Sequence, residues 1–138
     1  MKDLTLKKWF LILVATLGVN SCFVPTKINN SVLASRFYDQ RDYTNAIAYY
    51  MKSIAENDQS AETFYGLAMA FYQHGDREEA MLTLERCLEK DPKDESALER
   101  LAAVNLDLGD IQKAEFYCRK AIQLDNEFAE AYNTMGPA

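Results

Sequence analysis

The stretch HGDREEAMLTLERCLEKDP, residues 74–92, decides the fold, because it returns twice in the chain. It reappears as LGDIQKAEFYCRKAIQLDN at residues 108–126 and precedes itself as QRDYTNAIAYYMKSIAEND at residues 40–58, each copy starting 34 positions after the last. A fixed period between about 20 and 50 residues is the mark of a solenoid, in which each unit buries its apolar face only by stacking on its neighbours.

Laying residues 27–60, 61–94 and 95–128 over one another shows what repeats. The seventh and eighth positions read Leu33-Ala34, Leu67-Ala68 and Leu101-Ala102. The sixteenth reads Asp42, Asp76, Asp110 and the twentieth Ala46, Ala80, Ala114, while the eleventh holds Phe37 and Phe71 but Asn105 in the third copy. The twenty-eighth reads Ile54, Leu88, Ile122. In the middle copy Phe64, Leu67, Ala68 and Phe71 recur at i, i+3, i+4 and i+7, one face of a helix. Gly75 permits the positive φ that ends a helix, and Asp76, with Glu79 three residues on, reads as a capping box for the next one. Ala80, Leu84, Cys87 and Leu88 then form a second apolar face. The small residues at the eighth and twentieth positions are expected where the two helices of a copy cross, since a bulky side chain there would push the backbones apart. Helices are expected over 29–40, 43–56, 61–73, 77–90, 95–107 and 111–124, with a short one from 129.

This pattern closely resembles the tetratricopeptide repeat. The second copy supplies Phe64, Leu67, Ala68, Phe71, Gly75, Ala80, Leu84 and Pro92 at the family's marked positions, with Cys87 in place of an Ala. The third supplies Leu98, Leu101, Ala102, Gly109, Ala114 and Ala121, and the first departs most, with Asn30 for a large residue and Arg41 for Gly. The resemblance covers residues 27–138 and implies an all-α fold, a right-handed α-solenoid of about three helix pairs plus a partial fourth at 129–138. It also implies a concave groove lined by the first helix of each pair, at the second, fifth, ninth and twelfth positions. Those read Ile28, Ser31, Ser35, Tyr38; Glu62, Tyr65, Met69, Tyr72; and Ser96, Glu99, Ala103, Leu106, with Glu130 and Asn133 from the fourth fragment. Tyr38, Tyr65, Met69, Tyr72, Glu99 and Leu106 are the candidate partner-binding residues. Tyr65 and Met69 carry that expectation, because a Tyr at the twelfth position is ordinary family packing. Some relatives clamp a C-terminal carboxylate with Lys and Asn at the fifth and ninth positions; this chain has neither, so the expected guest is a peptide with apolar and some basic side chains.

The chain opens MKDLTLKKWFLILVATLGVNSC, a basic start followed by an apolar run from Trp9 to Val19. That run is too short to cross a bilayer, which takes roughly 20 residues, and it fits the core of a signal peptide over residues 1–21. Val19, Ser21 and Cys22 resemble a bacterial lipobox, with Asn20 departing from the usual small apolar residue. The resemblance implies a lipid on Cys22, a tether over 22–28, and, from Phe23 in place of Asp, sorting to an outer membrane on its periplasmic face. The alternative is a secreted or periplasmic protein cut at the same bond without lipid.

Of the 138 residues, 49% are hydrophobic and 26% charged, a globular balance. The formal charge is −6, and removal of the leader with Lys2, Lys7, Lys8 and Asp3 makes it −8, which disfavours nucleic acid and anionic lipid. His74 stands alone in a turn, and three cysteines without neighbouring His make no zinc pattern, so neither cofactor nor metal is expected. Cys87 and Cys118 are expected as free thiols, with a disulfide as the alternative. The paired carboxylates Glu78-Glu79 and Asp94-Glu95 sit where helices start and suit the helix dipole better than acid–base work. No enzyme or small-molecule substrate is therefore expected. The expected role is an envelope-anchored adaptor holding another protein, in the manner of an assembly factor for a pilus, secretion or outer-membrane complex. The alternatives are an accessory segment of a longer enzyme or sensor and a self-associating structural protein.

Overall fold

The computed structural model describes residues 28–134, with side chains described through Glu127. Residues 1–27, which hold the expected signal peptide and Cys22, and residues 135–138 lie outside the described residues, as do the side chains of Glu130 and Asn133. Every regular element among those described is an α-helix: α1 Asn30–Asp39, α2 Tyr43–Ala55, α3 Ala61–His74, α4 Arg77–Lys90, α5 Glu95–Asp107 and α6 Ile111–Thr134. Each packs on the next in the chain, and α1 also reaches α3, the order of a helical solenoid.

The expected crossings are formed. Ala34, Ala46, Ala68 and Ala80 are fully buried, with Ala102 and Ala114 nearly so. One core joins Phe64, Ala68, Leu84 and Cys87 to Ala97, Leu101 and Val104 of the following pair. A second joins Ala34, Ala46 and Tyr50 to Leu67 and Ala70. Middle helices are thus shared between neighbours. Ile54 and Leu88 are covered by the next pair, whereas Ile122 at the same position of the third copy is 60% exposed.

The same turn closes each first helix. The amides of Asp42, Asp76 and Asp110 donate to the carbonyls of Phe37, Phe71 and Asn105 at 2.9, 3.0 and 2.8 Å. The residue before each Asp takes positive φ: Arg41 at 62°, Gly75 at 107° and Gly109 at 80°. This is the left-handed C-terminal cap, in which orphan carbonyls gain donors. Arg41 adopts it despite its Cβ because the turn is fixed by the bonds on either side. Three details depart from expectation. Asp76 caps nothing with its side chain; its Oδ2 lies 2.7 Å from His74 Nδ1 instead. Asn30, at the large-residue position, is buried and donates to Glu56 Oε2 at 2.8 Å. Most visibly, no turn separates the third pair from the fourth fragment, and α6 runs unbroken from 111 to 134. The second copy breaks at Asp91-Pro92 and the first at Asn57, whose φ is 80°. The third offers Asp125-Asn126-Glu127, with neither Pro nor Gly, so the helix continues.

Two substitutions test this packing. Arg41→Gly should raise stability by about 0.5–1 kcal/mol in urea unfolding, since glycine pays no left-handed penalty; no gain would mean that Arg41 is unstrained. Gly66 faces Tyr50 so closely that an added Cβ would stand 2.5 Å from the ring tip. Gly66→Ala should therefore destabilise, because an overpacking cost of about 1–3 kcal/mol outweighs a helix-propensity gain of about 1 kcal/mol. A stabilised variant would contradict the contact.

Candidate functional site

The first helices α1, α3 and α5 stand side by side, and two depressions open between them. One, of 330 Å³, brings Ser31 and Ser35 of α1 together with Glu62 of α3. The other, of 360 Å³, brings Tyr65 of α3 together with Ser96, Glu99, Arg100 and Ala103 of α5. The second, fifth and ninth positions of neighbouring copies thus share one surface, as the repeat spacing requires.

The six candidate residues fare differently. Tyr65 is half-buried and faces the second depression with Glu99. Leu106 is 57% exposed. Tyr38 leans edge-on against Tyr43 at 5.5 Å and packs on the second core, with Ala34 and Ala46, so packing accounts for it. Tyr72 donates to Asp107 Oδ2 at 2.8 Å, with the Arg77 guanidinium 5.5 Å from its ring centre. That hydroxyl links two copies. Met69 corrects the expectation: it is buried and cannot offer a side chain to a guest. The surface is consequently more polar than the apolar centre read from the sequence, with serines, carboxylates and one tyrosine in place of a Tyr–Met patch.

Arg100 was not among the candidates, yet it lines the same depression as Tyr65. Its signal was present in the spacing, since Ser96, Arg100 and Ala103 fall at i, i+4 and i+7. Its charge reaches the neighbouring phenols. Burial pushes Tyr38 up and the bond to Asp107 pushes Tyr72 up, while Arg100 pulls both back. The floor beneath the first depression is held by Asp58. Burial raises its carboxyl, but hydrogen bonds from Thr63, Ser60 and Ser53 outweigh that and hold it below the usual carboxylate range.

Cys87 and Cys118 are free thiols, the first buried and the second exposed. Burial, with Asp94 second, pushes the Cys87 thiol up to about 12, and its Sγ lies 3.2 Å from the Ala61 carbonyl. It behaves as a small buried hydrophobe. Among the described residues, no three His, Cys, Asp or Glu side chains gather as a metal site would require. None of the described helices is long and apolar enough to cross a membrane.

Comparison with known proteins agrees with this geometry. A Protein CTR9 homolog of Arabidopsis thaliana is 30% identical over 117 residues, 81% of this chain, which spans only 11% of that protein. Among solved structures, MamA superposes with a TM-score of 0.70 at 21% identity, over 73% of this chain and 59% of that one. The second tetratricopeptide domain of Spaghetti (RPAP3), bound to an HSP90 peptide, superposes at 0.66 with 23% identity, over 70% of this chain and 90% of that one. The Sgt2 domain from Aspergillus fumigatus gives 0.65 at 22% identity, over 70% and 64%. Two models of the tetratricopeptide repeat match residues 37–104 and 95–128. With the matched turns, the alanine crossings and these superpositions in hand, the chain belongs to the tetratricopeptide-repeat family.

Proposed function

We propose that this chain is an adaptor that binds another protein along the surface formed by α1, α3 and α5, and that its work is binding rather than catalysis. The observation that carries this reading is the meeting of Tyr65, Ser96, Glu99 and Arg100 from two copies in one open depression. Tyr supplies contact area at small entropic cost, and Arg and Glu supply direction to a polar guest. A guest with apolar side chains and a basic group fits Tyr65 and the carboxylates Glu62 and Glu99; Arg100 adds a place for one acidic group. The solved Spaghetti domain, similar in fold, is bound to an HSP90 peptide, which supports a peptide-sized guest here.

We further propose that the adaptor is held in a bacterial envelope by lipid on Cys22, facing the periplasm from an outer membrane, and serves assembly of a larger envelope complex. The support is the sequence Val19-Asn20-Ser21-Cys22 after an apolar run. A diacylglyceryl group would retain a soluble body at the membrane, each buried methylene adding about 0.8 kcal/mol.

Two experiments separate these claims. A photo-crosslinking side chain at Ser96 should trap a discrete protein in the native membrane, and Tyr65→Ala with Arg100→Ala should abolish the adduct without altering helicity. The same probe at Gln112, exposed on α6, should trap none. An adduct unaffected by the double substitution would displace the binding site. Cells fed labelled palmitate should label the wild-type chain and not Cys22→Ser; an unlabelled wild type would remove the anchor while leaving the adaptor intact.

A further inference from the structure

The twenty-third position of the copies reads Tyr49, Thr83, Tyr117. In the first copy Tyr49 stacks on Phe37, with ring centres 5.1 Å apart and planes 20° from parallel. In the third, Tyr117 packs on the core and its hydroxyl donates to Glu85 of the preceding copy at 3.3 Å. In the middle copy the ring is missing. Thr83 is short, buried, and turned back to the Glu79 carbonyl at 2.6 Å. A groove of 520 Å³ opens there, on the side of the stack formed by the second helices α2 and α4. Leu67 and Phe71 of α3 form its floor, while Met51 and Leu82, 54% and 56% exposed, form its walls.

We propose that this groove is a second docking site, separate from the α1–α3–α5 surface, filled by a large apolar or aromatic side chain of a partner segment that carries Lys or Arg on either side. The chemistry of the occupant is read from the molecule itself. In the first copy Phe37 is stacked by a tyrosine ring, and beside the counterpart Phe71 the same position holds the short Thr83. The flanking charge follows from the rim. Glu79 and Glu89 line the groove beside Glu85, and the Arg86 guanidinium on the same rim is drawn 5.8 Å from the Phe64 ring centre. An apolar cleft edged by carboxylates attracts a basic amphipathic segment and repels an acidic one. It buries its anchor in a pocket surrounded by polar contacts, the usual form of a binding hot spot.

The internal copies also supply the test. Thr83→Tyr places in the groove the ring that both neighbours already carry, so it closes the site with a residue that this position accepts elsewhere in the chain. The probe is a short fluorescent peptide with Trp and Leu on one helical face and Lys on the other, titrated against the signal-free chain by anisotropy. Thr83→Tyr, and separately the exposed Leu82→Lys, should each weaken binding by about tenfold or more. Both losses should persist in a Tyr65→Ala background, which disables the other surface, and a peptide with Glu in place of Lys should not bind. Retained affinity in Thr83→Tyr, equal binding of the Glu peptide, or no binding of the Lys peptide would overturn the proposal. So would a dimer seen by sedimentation that Thr83→Tyr abolishes, because the groove would then belong to a second copy.

Discussion

Everything in this molecule depends on how closely two helices can approach. Six alanines, at positions 34, 46, 68, 80, 102 and 114, are buried where the helices of each pair cross. Removing side-chain bulk at those points lets larger neighbours interlock: Phe64, Leu84, Leu98 and Leu101 become almost wholly inaccessible to water. A single pair could not achieve this, since one flank of each helix would remain wet. Stacking makes the core continuous, with α3 contributing to both clusters.

Within that common frame the copies are not equivalent, and their differences create the surfaces available for binding. Arg41 stands in a left-handed turn that glycine occupies in the other copies. Asn105 replaces the aromatic at the eleventh position, is fully buried, and leaves its Oδ1 without a hydrogen-bond partner, a cost that only a well-packed surround tolerates. Thr83 replaces a tyrosine and opens one side of the stack; Arg100 and Tyr65 meet across the other. The repeat makes a scaffold, and departures from the repeat give it distinct faces. Binding specificity in such an array therefore belongs to the odd residues rather than to the recurring ones.

The fold was legible because its causes are local and recur. Spacing of Leu, Ala and Phe set the helix faces, and the Gly-Asp turns set the ends to within one or two residues. The continuous α6 departs from the period because the period implies a turn at every copy, whereas a turn needs a breaker such as Pro or Gly, and Asp125-Asn126-Glu127 contains neither. The site was less legible. Met69 falls on a helix face that a periodicity argument assigns to the groove, but neighbouring packing buries it. Arg100 shares the groove face by the same spacing but stands at the sixth position of its copy, outside the second, fifth, ninth and twelfth positions that the family marks for the groove. The groove beside Thr83 depends on the absence of a ring, which becomes visible only when neighbouring copies are compared in three dimensions.

The most direct test of this account is the unfolding free energy of Ala80→Leu set against that of Ala48→Leu. Both residues lie on second helices, one fully buried at a crossing and the other exposed. The account expects Ala80→Leu to lose about 1–3 kcal/mol or more through forced separation of α3 and α4, and Ala48→Leu to stay within about 0.5 kcal/mol of the parent. Equal stability of the two variants would contradict it, because close approach at the alanines would then not be what holds the helices together.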